Sequence, residues 1–437
     1  MGLSRALATG ASSLRAHQAR FDVIADNIAN VNTIGFKSNS MTFADELYQN
    51  YGYSKAPDII EGVGIGGQNA NQIGLGVKIG AISMDMGQGM LELTNRPLDL
   101  AFQGDGFFVY NLGGKQLYSR AGAITQDKDG NFVDSASGAL LQGYNVTTDA
   151  NGKLIKDATG TDILSKIMGN LQVKSNMVSP PNQTKNVVLT GNLNADMALN
   201  DTRQTSISIY DNRGGVHSLV VTFTKTANPN EFSVAATVDD KAVALDTSTL
   251  TFNADGTINT PKTFSMTAAD INTALGTNVF DATTPQNITL NLASGTSAVT
   301  QYSGTSTTTT ESQDGCASGD LQNMSVDNAG KVWGLFTNGR TELVGQLVMA
   351  KFVNQAGLQK EGGNFFSQTS NSGNASIGTA VETFPTTQIN SGVLEQSNVD
   401  LTSQFTDMIS TQRGFEAAAR VITVSDQMLA ELSQLKR

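Results

Sequence analysis

Large apolar side chains recur at seven-residue spacing near the beginning of the chain. Seven-residue spacing keeps side chains on one face of a helix, because two helical turns contain about seven residues. The stripe consists of Leu3, Leu7, Leu14, Phe21, Ile24, Ile28 and Val31. The pattern predicts one long amphipathic helix over residues 3–31.

The end of the chain carries a second stripe of the same kind. Its members are Leu401, Phe405, Met408, Phe415, Ile422, Leu429 and Leu432. Residues 397–400, Ser-Asn-Val-Asp, resemble a capping box, in which side chains satisfy the free amides of the first helical turn. The sequence therefore predicts a second long helix that begins after this box.

Between the two stripes, short alternating stretches and turn residues replace the helical spacing. The chain has 44 Gly but only 8 Pro, and Thr, Asn, Ser and Asp dominate residues 147–313. Residues 107–110 and 343–352 are apolar enough for buried strands, and residues 127–131, 326–330 and 337–339 are typical of hairpin turns. This middle part is predicted to be mainly β.

These patterns predict an α+β multidomain fold, with terminal α-helices that form a coiled-coil stalk and with inserted mainly-β domains. Two helices at opposite ends can pair only if the middle of the chain returns to its starting point. We expect four units: a helical core (1–36 with 393–437), a connecting segment (37–74 with 375–392), a first β-domain (75–146 with 314–374) and an inserted outer β-domain (147–313).

The two stripes allow two interpretations. An amphipathic helix most often packs on the core of its own chain. Fully burying a large apolar side chain stabilises by about 1.5–3 kcal/mol, whereas ordering each backbone residue costs about 1–2 kcal/mol. A lone helical pair would leave part of each stripe exposed, so we expect the ends to be weakly ordered in a monomer and fixed by neighbouring copies. The fourteen stripe residues are the predicted self-assembly sites.

Composition excludes several classes of function. With 28 Lys and Arg against 39 Asp and Glu, the net charge is −11, which disfavours binding to nucleic acid or anionic membranes. No apolar stretch is long enough for membrane insertion. One cysteine, Cys316, and two distant histidines, His17 and His217, offer neither a disulfide nor a zinc site. No catalytic triad can be argued, so we expect no enzyme activity and no cofactor.

Three weaker motifs are interpreted structurally. The glycines of residues 62–67 match G-x-G-x-x-G, but no βαβ unit surrounds them, so a loop is expected. Residues 127–131 resemble the start of a calcium loop without its remaining ligands, and we interpret them as a turn. Cys316 is expected to be a bystander, with an intersubunit link as the minority interpretation, and Trp333 is expected to pack in a strand.

Several longer segments resemble the family of bacterial flagellar rod and hook proteins. Residues 21–37 resemble its N-terminal signature, and residues 397–401 and 408–413 resemble its C-terminal motif. Residues 96–100, 104–108 and 118–122 are similar to its first β-domain. Within the family, residues 191–194, 209–217, 313–315, 326–330 and 336–339 and the length of the chain resemble hook subunits. Residues 49–73 are similar to an insertion typical of the distal rod, and we expect this segment to set local stiffness.

The resemblance implies a structural role and a set of partners. It implies a subunit that assembles into a curved helical tube, the hook, which acts as a universal joint and transmits motor torque to the filament. The implied partners are other copies of the chain, flagellar rod proteins, a hook cap protein, hook–filament junction proteins and the type III export apparatus. The implied location is the extracellular hook and basal body, reached without a cleaved signal peptide.

Two alternatives remain open at this stage. One is a distal rod subunit, a stiff drive shaft built from the same kind of assembly. The other is a secreted β-rich adhesin or carbohydrate-binding protein, which the Thr-rich insert alone would suggest. An adhesin would not need two terminal stripes.

Overall fold

The computed structural model describes residues 2–60, 63–149, 153–155, 163–165, 167–174, 176–281, 287–293 and 298–435. A long helix lies at each end of the chain, and the part between them is mostly β. The predicted combination of two terminal helices with a mainly-β middle is therefore confirmed. No helix in these ranges is long and apolar enough to cross a membrane.

Strands dominate the element order along the chain. The first third contains α1 (Gly2–Ala29), β1 (Asn39–Asp45), β2 (Tyr48–Gly52), β3 (Asp58–Ile60), β4 (Val63–Ile65), β5 (Asn71–Gly74), β6 (Val77–Met84), β7 (Leu91–Leu93), β8 (Leu100–Gln103), β9 (Phe107–Leu112), β10 (Lys115–Ser119), β11 (Ile124–Gln126), β12 (Phe132–Asp134) and β13 (Leu140–Asn145). The middle contains β14 (Gly169–Asn170), β15 (Val178–Ser179), β16 (Asn186–Thr190), β17 (Thr202–Tyr210), β18 (Val216–Lys225), β19 (Glu231–Val238), β20 (Lys241–Val243), β21 (Thr249–Phe252), β22 (Ile258–Thr260), β23 (Thr263–Thr267), α2 (Ala268–Leu275), β24 (Asn287–Asn291) and β25 (Thr309–Gln313). The last part contains β26 (Gly319–Val326), β27 (Lys331–Phe336), β28 (Thr341–Leu347), β29 (Met349–Lys351), a 3-10 turn (Gln355–Gly357), β30 (Gln359–Gly362), β31 (Phe365–Ser367), β32 (Ser376–Gly378), β33 (Gln388–Ser391), β34 (Val393–Glu395) and α3 (Leu401–Leu435).

Strands β1 to β6 form one long antiparallel ribbon, in which β1 pairs with β6, β2 with β5 and β3 with β4. Leu75 N donates to Leu47 O at 2.8 Å and joins the first two of these ladders. The predicted boundary between residues 74 and 75 therefore falls inside a single element. The sequence could not reveal this, because β6 and its partner β1 are separated by the whole of β2 to β5. Gly62 of the glycine motif lies outside the described residues.

The inner β-domain is built from both halves of the chain. Its main sheet has the order β15-β26-β27-β28-β13-β9-β10-β31-β30. Its core contains Phe102, Phe108, Tyr110, Leu141, Val344 and Leu347, all buried. The predicted strand at residues 107–110 and the hairpin turns at 326–330 and 337–339 are confirmed in this sheet. The predicted single strand at 343–352 is divided into β28 and β29, which pair with different strands.

The inner domain also contains segments that we expected elsewhere. Strand β33 pairs with β8 and β34 pairs with β7. Residues 388–391, predicted in the connecting segment, and residues 393–395, predicted in the helical core, therefore pair with strands of the first β-domain. Leu154, Leu171, Val173 and Met177 are buried in the same core, although the polar composition after residue 147 suggested the outer domain. A few well-spaced apolar residues decide where a polar segment packs. The average composition of the segment does not show these few residues.

The outer β-domain has its own core. One sheet has the order β17-β18-β19-β21-β22 and the second has the order β23-β24-β16-β25. In β17, β18 and β19, buried and more exposed residues alternate, as expected of strands with one face on a core. Phe223, Phe232 and Phe264 are among the side chains that the two sheets bury. Helix α2 begins at the cap Thr267, whose hydroxyl accepts from Asp270 N.

The terminal helices differ from the prediction at the end of α1 and in the residue that caps α3. Helix α1 ends at Ala29, so Val31 lies in the turn that follows and not on the helix. Helix α3 begins at Leu401, and Asp400 Oδ1 accepts from Thr402 N at 2.8 Å. The predicted capping box at Ser397 is wrong, because the side chain immediately before the helix reaches its free amides directly.

Candidate assembly surface

The two terminal helices lie antiparallel against each other. Arg20 forms an ion pair with Asp407 at 2.9 Å, and Asn27 Nδ2 donates to Gln404 Oε1 at 3.0 Å. Further towards the start of α1, Gly10 lies against Ile422. Residue numbers therefore rise along α1 as they fall along α3.

Small and polar side chains make the contact between the helices. Helix α3 buries Thr411, Ala418 and Ser425, which are spaced by seven residues. A Cβ atom on Gly414 would lie 2.5 Å from Cε1 of His17, which shows how closely the backbones approach there. The spacing of large apolar residues does not reveal this face, because its members are small. The seven-residue row of Thr, Ala and Ser and the single glycine in α3 were the signals that could have found it.

About half of the predicted assembly residues remain exposed in the single subunit, and the others pack at least partly inside it. Among those whose side chains the structure describes, only Ile24 is buried, and Leu7, Leu14, Ile28, Val31, Met408 and Ile422 are partly buried. Six others are between 39% and 52% exposed: Phe21, Leu401, Phe405, Phe415, Leu429 and Leu432. The side chain of Leu3 lies outside the described residues.

The structure brings three of the predicted residues together in one groove. Phe21 of α1 faces Met408 and Phe415 of α3, and His17 and Thr411 line the same groove. Ile422 meets Gly10 further along. Leu401, Phe405 and Leu429 do not line this groove.

Helix α3 also exposes apolar residues that the sequence analysis did not select. Ile409, Val421, Val424 and Met428 are each more than two-fifths exposed. A helix that is apolar around most of its circumference is normally surrounded by other protein. Thus α3 has more apolar surface than α1 alone can cover.

The other side of α1 packs on the ribbon. The His17 and Phe43 rings meet edge to face at 5.2 Å, and Arg20 lies over the Phe43 ring. Thr9 Oγ1 donates to Leu75 O at 3.2 Å. Burial, together with the positive charge of Arg20, lowers the pKa of His17. His17 is therefore a packing residue between α1, α3 and the ribbon.

A buried ion cluster lies where both helices join the inner β-domain. Lys37 Nζ is 2.7 Å from Glu395 Oε1, and Arg120 NH1 is 3.6 Å from Glu395 Oε2. Burial lowers the pKa of Lys37, an effect that Glu395 opposes and Arg120 reinforces. Burial also lowers the pKa of Arg120, again against the pull of Glu395. In the sequence, Lys37 and Arg120 were visible only as parts of motifs, and Glu395 was missed.

The remaining polar candidates are held within the β-domains. His217 Nδ1 is 2.6 Å from Asp239 Oδ2 at the start of β18. Asp127 Oδ1 accepts from Asp129 N and Asn131 N, which confirms the turn at residues 127–131. Cys316 is buried. Within the described ranges no three His, Cys, Asp or Glu side chains are grouped as metal ligands would be.

Trp333 lies in strand β27 and packs against the inner core, as the sequence analysis expected. Its indole Nε1 donates to Asp327 Oδ2 at 2.9 Å, across the turn that connects β26 with β27. The ring is therefore held by packing on one side and by a hydrogen bond at its polar edge.

Three family models match separate parts of the chain. "Flagella basal body rod protein" matches residues 7–37, "Flagellar basal body protein FlaE D2 domain" matches residues 179–316, and "Flagellar basal body rod FlgEFG protein C-terminal" matches residues 390–435. The first and last contain the terminal helices and the side chains of Lys37 and Glu395. The second corresponds to the outer β-domain.

Full-length relatives are similar along the whole chain. The flagellar hook protein FlgE of Treponema pallidum is 36% identical over 100% of both chains. The flagellar basal-body rod protein FlgG of Bacillus subtilis is 26% identical over 99% of both. The crystal structure of Helicobacter pylori flagellar hook protein FlgE2 is 15% identical, with a TM-score of 0.47 over 70% of this chain and 100% of that chain.

The alternative of a β-rich adhesin is set aside, because these relatives are flagellar proteins over their full length. The 36% identity over the full length is strong enough to assign the family. The family models agree, because they match both terminal helices and the outer domain. The chain belongs to the flagellar hook protein family.

Proposed function

We propose that this hook subunit polymerises by burying the apolar faces of α1 and α3 against other copies of itself. The observation that supports this most strongly is the exposure of the stripe residues in a single chain, where Phe405 is 50% and Phe415 is 42% exposed. Within the subunit, small residues form the helix contact, so the large side chains remain available. The fourteen stripe residues, apart from Ile24, which is buried, and Ile422, which lies against Gly10, are the proposed contact set.

The energy balance favours burial between subunits. Each large apolar side chain that becomes fully buried stabilises by about 1.5–3 kcal/mol. Ordering the backbone of one residue costs about 1–2 kcal/mol, so a helix pair held mainly by small side chains has little surplus. Neighbouring copies that bind only the ordered helices shift the balance towards order. The ends then become fixed as the polymer forms.

The helix pair would form a coiled-coil stalk that lines the central channel of a curved tube, with the β-domains as outer layers. The β-domains have many Thr, Asn and Ser side chains at their surfaces. Such polar contacts can exchange through water without a large barrier. The tube would thereby bend while it rotates, as a universal joint that transmits motor torque to the filament.

The family also supports a set of partners. We expect contacts with flagellar rod proteins, a hook cap protein and hook–filament junction proteins, and delivery by the type III export apparatus without a cleaved signal peptide. The proposed location is the extracellular hook and basal body. The ribbon of residues 39–84, which includes the segment 49–73, would set the local stiffness of the tube.

A distal rod subunit is the second candidate. Two observations favour it: the 26% identity to a rod protein over the full length, and the long ribbon between α1 and the inner domain. Both candidates use the same assembly surface. They differ in the shape of the polymer, which is curved for a hook and straight for a drive shaft.

Electron microscopy of concentrated purified protein tests both proposals. Curved tubes are expected; straight rods would favour the drive shaft, and monomers alone would contradict assembly. Deletion of residues 1–30 or 401–437 should give a folded β-rich monomer that does not polymerise. Deletion of residues 150–310 should preserve assembly better and alter curvature, and the reverse order of effects would contradict the proposed roles.

A further inference from the structure

Three charged side chains from distant parts of the chain meet in a site closed to solvent. Lys37 and Arg120 are each 1% exposed and Glu395 is 0% exposed. Lys37 Nζ donates to Glu395 Oε1 and to Gly87 O, both at 2.7 Å. Arg120 NH1 donates to Gly104 O at 2.9 Å and faces the second oxygen of Glu395.

The site lies at the base of both terminal helices. Lys37 follows the end of α1 by eight residues, and Glu395 precedes the start of α3 by six residues. Gly35 N donates to Glu395 O at 2.8 Å, and Ser38 N donates to Asn398 Oδ1 at 2.8 Å. The chain entering α3 is therefore bonded to the chain leaving α1.

The same carboxylate also holds the inner β-domain. Gly89 N donates to Glu395 Oε1 at 2.9 Å, on the segment that leads into β7. A Cβ atom on Gly89 would lie 2.0 Å from Gln396 O, so only glycine permits this approach. Arg120, which directly follows β10, connects the end of that strand to Glu395. Glu395 thus joins α1, α3 and two segments of the inner domain.

We propose that Lys37, Arg120 and Glu395 are positioning residues that fix the bases of both terminal helices on the inner β-domain in the unassembled subunit. The distal parts of the helices are left to be ordered by neighbouring copies. The orientation of the helix pair is then set before assembly, and bending of a polymer takes place outside this junction. The fixing of the helix bases goes beyond the proposed self-assembly and does not depend on it, whereas the ordering of the distal parts rests on that proposal.

Glu395 is the residue whose loss should matter most. Two buried cations share this one carboxylate, and within the part of the chain that the structure describes Arg120 Nε and Glu395 Oε2 have no hydrogen-bond partner. A buried charge that loses its partner is strongly destabilising, whereas removal of both partners is far less so. Asp85 and Asp105 attract Lys37 and Arg120, respectively, only from beyond ion-pair distance, so Glu395 is the carboxylate that both cations contact directly.

Hydrogen-exchange mass spectrometry on dilute full-length monomer tests the proposal. In the wild type, peptides covering residues 34–38 and 87–90 should be protected. In Glu395→Gln, exchange in both should be at least tenfold faster, while outer-domain peptides keep their rates. Asp407→Asn, which removes the partly buried ion pair with Arg20 away from this cluster, is the matched acid-to-amide control and should leave both peptides unchanged. Wild-type exchange in a folded Glu395→Gln protein would overturn the proposal.

Two further variants separate positioning from general stability. Gly89→Ala keeps every charge but displaces residues 395–396, and it should accelerate exchange at residues 34–38 as well as locally. Lys37→Met combined with Glu395→Gln should exchange more slowly than Glu395→Gln alone, because one unpaired cation is gone. If Glu395→Gln does not fold, the double variant provides the test. Exchange in the double variant at the same rate as in the wild type would then contradict the proposal. Phe405→Ser should block assembly without altering these peptides, so the two proposals can fail separately.

Discussion

Gly10 of α1 lies directly against Ile422 of α3: a Cβ atom on Gly10 would be 2.9 Å from Ile422 Cγ1 and 3.5 Å from Ala418 O. The absence of a side chain at residue 10 lets the two backbones approach closely. This contact also places Ile422, one of the predicted stripe residues, at the internal face of the pair. The geometry of the helix pair therefore depends on a glycine that is unfavourable for an isolated helix.

Replacement of Gly10 by Leu should separate helix stability from assembly. Leu is a better helix former than Gly by nearly 1 kcal/mol, so α1 itself gains stability. The added side chain has no room beside Ile422, so the critical concentration for polymerisation should rise at least tenfold, about 1.4 kcal/mol. Sedimentation of polymer measures it, with Ala8→Leu, on an exposed position of α1, as the control. Unchanged assembly of Gly10→Leu would contradict the close contact.

Replacement of Phe415 by Ser should weaken polymerisation without unfolding the monomer. Phe415 is 42% exposed in one chain, so the monomer loses little when the ring is removed. If a neighbour buries the exposed two-fifths of this ring, the loss of about 0.6–1.3 kcal/mol raises the critical concentration roughly three- to tenfold. Tyr302→Ser, at a half-exposed aromatic residue of the outer domain, is the control. Equal effects of both substitutions would argue against the assembly surface.

The two β-domains should unfold separately because their cores are separate. Phe264 is fully buried between the outer sheets, and its replacement by Ala should destabilise that domain by about 3–5 kcal/mol. Differential scanning calorimetry should show one transition at lower temperature and a second one unchanged. Phe108→Ala, in the inner core, should shift the other transition. A single transition that both substitutions move together would show that the domains unfold as one unit.

The outer domain should lose stability in acid through Asp239. Burial alone would raise the pKa of Asp239, but hydrogen bonds from His217 and Ser218 N outweigh it and place the pKa below the ordinary value of 3.8. The folded state therefore holds the carboxylate ionised, and its contribution is complete above that ordinary value and disappears as the pH falls below it. Urea unfolding should show Asp239→Asn weaker than wild type at about pH 5 and closer to it at about pH 3. A difference that does not depend on pH would contradict this role.

The sequence by itself determined the terminal helices, the β character of the middle and the family. The seven-residue spacing of large side chains is a property of one helix and does not depend on what the helix packs against. The turns at residues 127–131 and 326–330 likewise depend on Asp and Gly within a few positions of each other. Local patterns of this kind can be identified without knowing where the rest of the chain goes. The segments that resemble the hook family are also short and continuous, so they can be identified in the same way.

Only the tertiary structure decided which surfaces meet. The internal face of α3 contains Thr411, Ala418 and Ser425 beside Ile422, because close approach of two helices favours small side chains and leaves most of the large ones exposed. The pairing of β1 with β6 and the contact of Lys37 with Glu395, 358 residues apart, join positions with no local signal. Such contacts depend on how separate elements fit together in space, and burial of a charge becomes visible only after its surroundings have closed around it.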